Sequence, residues 1–229
     1  MFENGMNINL ISYSKSDGSH LIDTSSATEL VAFCARVSNP EGQMNSATSE
    51  KLIKYLMKHK HWSPLEMVSV CLEIETTRDI ARQILRHRSF SFQEFSQRYA
   101  DPTKSLDFEV REARFQDPKN RQNSIPATEE DYELIAKWNE EQKKVIRVAN
   151  EAYGWAIENG IAKEQARAVL PEGNTVSRLY VNGTLRSWVH YIELRGANGT
   201  QLEHIEIAKE CAKVISKIFP LANEVFDNE

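Results

Sequence analysis

Between Met67 and Thr77 apolar and polar side chains alternate, Val68, Val70, Leu72 and Ile74 against Ser69, Cys71, Glu73 and Glu75. A period of two predicts a strand with one buried face. The same period marks strands at 7–13 and 106–115, and a strand-like run at 175–181 that leads to Asn182-Gly183. Elsewhere the period is near 3.6: Leu52, Ile53, Leu56 and Met57 share one face of a helix over 48–59.

End signals set the other helices. Ser26-x-x-Glu29 and Thr200-x-x-Glu203 read as capping boxes, opening a helix to Val37 and a final helix to Phe219, just ahead of Pro220. Thr77 caps a helix through Arg88, and Thr184 caps one that ends at Gly196. Ser63-Pro64-Leu65-Glu66 joins an N-cap serine, a first-turn proline and a capping-box glutamate, which predicts a further helix N-terminus. Residues 162–170 form a short helix stopped by Pro171, 128–160 is helical as one long helix or two, and 116–127, with two prolines and several Asn and Gln, reads as a surface loop. This mixed order predicts one α+β domain over 1–229 rather than a doubly wound sheet.

Charge narrows the function. The 28 Lys and Arg against 33 Asp and Glu give a net charge of -5, so net charge attracts neither bulk nucleic acid nor an anionic membrane, and any anion site is local. Cys34, Cys71 and Cys211 are odd in number and show no C-x-x-C spacing, which suits free thiols in a reducing compartment, the cytoplasm. The N-terminus shows no basic flank before an apolar run, and no segment approaches the roughly twenty apolar residues of a membrane span.

The local concentration lies in "RHRSFSFQEFSQRY", Arg86 to Tyr99. Arg78, Arg82 and Arg86 recur every four residues, Arg88 and Arg98 follow, and no lysine stands between 78 and 98. Arginine offers a planar fork to phosphate and carboxylate. For Arg78 alone a salt-bridged surface is the better reading; for Arg86-His87-Arg88 an anion site is. Ser89, Ser91, Gln93, Glu94, Ser96 and Gln97 add hydroxyls, amides and a carboxylate that read sugar or base edges, and the three phenylalanines between them suit core packing. Arg167, Arg186, His190 and Arg195 have the same character, with 186 and 190 on one helix face. His59 and His61 lack a third ligand, so no metal site is expected. Dinucleotide, P-loop, zinc-protease and serine-hydrolase signatures are all missing from the sequence.

Arg86-His87-Arg88, then seven residues, then Ser96 and Arg98, resembles the signature of the flavin-dependent thymidylate synthases. "CARVSNP", "MKHKHWSPLEM", "ARQILRHR", "ARAVLP" and "LRSWVHYIELR" resemble family segments in the right order, so the likeness spans roughly residues 30–215. It implies a mixed α/β fold with helices on a mainly antiparallel sheet, assembled as a homotetramer. It implies methylation of deoxyuridine monophosphate (dUMP) to thymidine monophosphate, with methylenetetrahydrofolate as carbon donor, FAD as hydride carrier and NADPH as reductant. By position, Gln83, Arg86, Glu94, Phe95, Ser96, Gln97, Arg98, Arg167 and Arg195 contact the nucleotide. Ser63, Arg86, His87, Arg88, Glu94, Thr184, Arg186 and His190 contact the flavin, with Ser38, His61 and Glu66 near it. The free N–H groups of a helix beginning at Ser63 would face the flavin.

Arg195 is the candidate catalytic residue, placed to stabilise charge on the pyrimidine. No cysteine sits in a motif like the nucleophile of the unrelated cysteine-dependent thymidylate synthases. Gln93 and Gln97 stand where Asn and Gly are frequent in the family, and Thr184 and His190 where Asn often is. The alternative is a nucleotide- or single-stranded nucleic-acid-binding module using the arginine stripe, or a regulatory domain that lost catalysis. Net acidity and the spread of matching segments favour the flavoenzyme.

Overall fold

The computed structural model describes residues 7–19 and 26–225; residues 1–6, where the leader signal was sought, lie outside them. Strand β1 (Asn7–Tyr13) is followed by α1 (Ala27–Ala35), α2 (Ser49–Lys58), β2 (Ser69–Thr77) and α3 (Arg78–Ile84). Then come β3 (Ser91–Glu94), α4 (Pro102–Ser105), β4 (Arg114–Gln116), β5 (Ser124–Pro126) and α5 (Tyr132–Glu158). The chain ends with α6 (Lys163–Ala166), β6 (Val176–Thr184), α7 (Leu185–Gly196) and α8 (Leu202–Ser216).

Four strands form one antiparallel sheet in the order β1-β2-β6-β3. The alternation read from the sequence is what buries it: Val70, Leu72, Ile74, Leu179 and Val181 are all fully buried, and they pair as Leu72 with Val181 and Ile74 with Leu179. On that face the core joins α1, α2, α3, α7 and α8. Deep in it, the Trp188 indole N–H donates to the Val70 carbonyl at 3.0 Å, so the largest buried ring leaves no polar atom unpaired. The opposite face carries Glu75, bonded to Arg178, and Tyr180, which is 40% exposed. The result is an α+β fold, helices against one face of an antiparallel sheet.

Several local expectations change. Ser63–Met67 is a five-residue 3₁₀ turn with Trp62 at the cap position and no side-chain cap bond, so there is no α-helix N-terminus to offer N–H groups to a flavin. The helix after Thr77 stops at Ile84 rather than Arg88, and the Thr77 hydroxyl donates to Asp79 at 2.6 Å instead of capping. Arg86 therefore lies beyond the helix that holds Arg78 and Arg82. The span 106–115 supplies only an isolated bridge from Phe108 to Thr175 and the start of β4, which pairs with β5 inside the expected loop. Residues 132–158 are one helix, preceded by a 3₁₀ turn, Glu129–Asp131, whose capping box joins Thr128 and Asp131. The span 162–170 is α6 followed by a 3₁₀ turn at Arg167–Val169. Gln201, not Thr200, occupies the cap position of α8, which ends at Ser216. Strand β6 runs straight through Asn182-Gly183, while Ser26 and Thr184 cap α1 and α7 as expected.

Candidate active site

Helix α7 gathers two groups of the expected site residues. At its N-terminal end Arg186 forms an ion pair with Glu66, and the His190 ring meets Trp62 edge-on at 4.5 Å, because the 63–67 turn packs on α7. Ser63 is exposed on that turn, and the Thr184 hydroxyl accepts the Ser187 N–H at 3.3 Å. The Ser187 hydroxyl donates to the Ser89 carbonyl at 3.1 Å, tying the Arg86-His87-Arg88 loop to the same helix.

At the C-terminal end of α7, Arg195 donates from Nε to His87 Nε2 at 2.8 Å. His87 is half-buried on the edge of the Tyr191 ring, 5.0 Å between centroids. Burial, with Arg195 and Arg86 beside it, lowers its pKa to about 4, so the imidazole is neutral and its Nε2 is free to accept. One N–H of Arg195 is thereby committed, while its terminal nitrogens pair with no carboxylate among the described residues. Exposed Arg86 and Arg88 likewise pair with no carboxylate there. Gln83, in α3, bonds to Gln201 and His204.

A third group lies elsewhere in the chain. Arg98 pairs with Glu164 at 3.3 Å, and Arg167 donates to the Glu164 carbonyl at 3.3 Å. Glu94 faces Arg78 at 3.5 Å and accepts from the Ser177 hydroxyl. The Phe95 N–H donates to the Arg178 carbonyl, the Ser96 carbonyl accepts from the Tyr99 N–H, and Gln97 is buried with its Nε2 unpartnered. Ser38 lies exposed in the turn after α1, and exposed His61 is 6.3 Å from both the His59 and Tyr55 rings.

Sequence reasoning passed over Tyr191, Gln201 and His204. Its signal was His204 within the apolar stripe of α8, where Ile207, Ala208 and Cys211 are buried. It also passed over Trp62 and Gly183. A Cβ on Gly183 would stand 2.3 Å from the Phe90 ring, so the absence of a side chain is what lets Phe90 close over β6.

This arrangement weakens the nucleic-acid alternative. Arg78 is engaged by Glu94 in a largely buried pair, which takes it out of the arginine stripe, and Phe90 is buried rather than offered for stacking. Burial pushes Cys34, Cys71 and, furthest, Cys211 up, so none of the three is poised as a thiolate.

Residues 20–221 match the family described as "Thymidylate synthase complementing protein". A probable flavin-dependent thymidylate synthase of Paramecium bursaria Chlorella virus 1 is 50% identical over 201 residues, 88% of this chain and 91% of that protein. The flavin-dependent thymidylate synthase of Synechocystis is 50% identical over 192 residues, 83% and 85% of the two chains. Among solved structures, the UMP/dUMP methylase PolB of Streptomyces cacaoi bound with 5-Br UMP superposes with a TM-score of 0.77 at 27% identity, covering 97% of this chain and 93% of that one. The arginine-histidine motif, the unactivated cysteines and these similarities converge: the chain belongs to the flavin-dependent thymidylate synthases.

Proposed function

We propose that this protein reductively methylates dUMP to thymidine monophosphate, taking carbon from methylenetetrahydrofolate and reducing equivalents from NADPH through bound FAD. The observation that carries the reading is Arg195 held by neutral His87. A guanidinium oriented through Nε, with no carboxylate among the described residues spending its charge, presents two parallel N–H donors to a planar acceptor edge. It stabilises negative charge that develops on a pyrimidine ring.

The phosphate falls to Arg98 and Arg167, with Ser96. The Arg98–Glu164 pair is about half exposed, and such pairs contribute about 0–1 kcal/mol, so a phosphate displaces Glu164 at little cost. Gln83, Arg86, Glu94, Phe95 and Gln97 complete the nucleotide contacts. For FAD the donor set fits: Arg86 and Arg88 are exposed cations that pair with no carboxylate among the described residues, and Trp62, His190 and the Glu66–Arg186 pair form a mixed aromatic and polar wall. Ser38, His61, Ser63, His87, Glu94 and Thr184 contribute around it. Bound FAD supplies hydride chemistry; the chain binds, orients and polarises.

Arg98 and Arg167 meet around Glu164 while Arg195 sits with His87, which supports a site completed by a neighbouring subunit in a homotetramer. The outward face of α5 supports assembly as well, since Leu134, Trp138, Val145, Val148 and Trp155 are each more than 40% exposed. Purified protein showing a flavin absorption band, and thymidylate formed only when dUMP, methylenetetrahydrofolate and NADPH are all present, would bear the reading out. A colourless protein that binds no added FAD would overturn it.

A further inference from the structure

Beneath the His87–Arg195 pair runs a buried chain of polar side chains. Tyr191, 2% exposed, lies with its hydroxyl 3.0 Å from His204 Nε2, and His204 is fully buried. His204 Nδ1 is 3.2 Å from Gln83 Oε1, and Gln83 Nε2 donates to Gln201 Oε1 at 2.9 Å. Burial opposes the charge on Glu203, but its own backbone N–H, Arg111, Arg114 and Gln201 outweigh it and hold the carboxyl below the usual range. Arg114 bonds to Glu203 and Arg111 lies 3.4 Å away.

The buried Tyr191 hydroxyl has His204 Nε2 as its hydrogen-bond partner, and that sets the direction of the chain. At the other end Gln201 Oε1 faces Gln83 and accepts from its Nε2. Gln83 must then donate from Nε2 and accept at Oε1. His204 therefore carries its proton on Nδ1, and Nε2 accepts from the Tyr191 hydroxyl. The opposite direction would leave the Tyr191 proton needing another acceptor in a buried place. Its burial, with Arg195 and His87 near, lowers the His204 pKa to about 3, consistent with a neutral ring.

We propose that Gln201 and His204 are positioning residues that lock the amide face of Gln83, so that Gln83 presents an N–H donor to an acceptor oxygen of the bound pyrimidine nucleotide. With Oε1 held by His204 and one N–H by Gln201, the second N–H is what Gln83 has left to offer. The Tyr191 and His204 rings, 5.0 and 6.4 Å from the His87 ring, also form the floor under the His87–Arg195 pair. The inference rests on the reading that Gln83 meets the nucleotide. It goes further in giving buried His204 and its neighbour Gln201, which that reading leaves out of the nucleotide contacts, a part in the recognition of substrate.

Two measurements test it on the flavin-loaded protein. ¹⁵N spectra of the histidine rings should show His204 neutral and protonated on Nδ1 between pH 5 and 8, and Gln201→Leu should remove that bias. A ring protonated on Nε2, or cationic at neutral pH, overturns the proposal. His204→Leu should raise KM for dUMP about tenfold with kcat moved much less, as loss of one hydrogen bond to substrate does. His204→Asn keeps a donor toward Gln83 and should recover most of the affinity. Should His204→Leu fail to fold, Gln201→Leu, at a partly exposed position, carries the KM test; an unchanged KM in a folded variant overturns the proposal. Deoxyuridine in place of dUMP separates a base oxygen from a phosphate oxygen as the acceptor, since only a base contact leaves the variants' defect intact. A parent protein that binds no dUMP would defeat the proposed function, while the His204 tautomer would still be decided by the spectra.

Discussion

Gly183→Ala tests the packing that holds the Arg86-His87-Arg88 loop in place. The added Cβ would lie 2.3 Å from Phe90 Cδ1, 2.6 Å from Cε1 and 3.3 Å from Ser187 Cβ. Carbon contacts settle near about 3.5–4.0 Å, so the ring must retreat by more than about 1 Å. It has nowhere easy to go: Phe90 is 8% exposed and its ring sits 4.6 Å from Trp188, 5.8 Å from Tyr191 and 6.1 Å from Phe92. Overpacking of this kind costs about 1–3 kcal/mol, against a gain of about 0.4–1 kcal/mol from replacing a glycine. The net expectation is a loss of about 1–2 kcal/mol, or a Tm lower by about 2–8 °C for a chain of this size. Because the Phe90 N–H donates to the His87 carbonyl and Ser187 bonds to Ser89, dUMP affinity should fall with stability. Thermal unfolding of Gly183→Ala in the parent and in Phe90→Val, a change that removes every δ and ε atom, completes the test. The Gly183→Ala cost should nearly vanish in the Phe90→Val background, at whatever cost Phe90→Val brings by itself. A Tm within about 1 °C of the parent, or an equal cost in both backgrounds, refutes the reasoning.

Three further outcomes are expected. His204 has a folded pKa of about 3, below its unfolded value, so its contribution to stability is complete above about pH 6.5 and is lost as pH falls toward 3; between pH 6.5 and 4.5 the loss is about 2–3 kcal/mol. Glu109, raised by burial to about 7, acts oppositely by losing stability as pH rises through the same window, and His87, lowered to about 4, acts in the same direction as His204, so urea unfolding of the parent must be compared with His204→Asn, which should make the acid side of the profile shallower while the His87 part remains. Triple substitution of Cys34, Cys71 and Cys211 by Ala should leave thymidylate formation intact; activity lost with FAD and dUMP binding normal would contradict a mechanism without a cysteine nucleophile. Arg195→Ala should bind dUMP yet lose about a hundredfold in kcat, with Lys a partial rescue because it lacks both the fork and the Nε–H that His87 accepts, whereas Arg98→Ala should chiefly raise KM; normal turnover by saturated Arg195→Ala would reduce that residue to a binding contact.

What the sequence determined by itself is whatever depends on near neighbours. The alternation of Val70, Leu72 and Ile74 specifies a half-buried strand, Ser26 and Thr184 supply oxygens to the N–H groups three residues on, and the spacing from Arg86 to Arg98 names the family. The α+β class was legible because strand and helix periods differ and their order is mixed, while the antiparallel sheet was implied only by the family resemblance. Short elements were not: β3, β4 and β5 are three or four residues each, too few to show a period, and exist because a partner strand completes their ladders. Over 106–115 the alternation is present, but most of the segment builds no strand ladder among the described residues, so pattern without pairing made only the Phe108 bridge and the first residues of β4. Proline and serine at 63–64 promised an α-helix, and the five-residue turn that packs on α7 took its place. The site's geometry came wholly from tertiary structure. Arg195 reaches His87 across 108 residues, Gln83 reaches His204 across 121, and Gly183 matters only because Phe90 lies on it. Such contacts leave no local signature, since a hydrogen bond or a close approach between distant residues is set by where the packed core places their backbones.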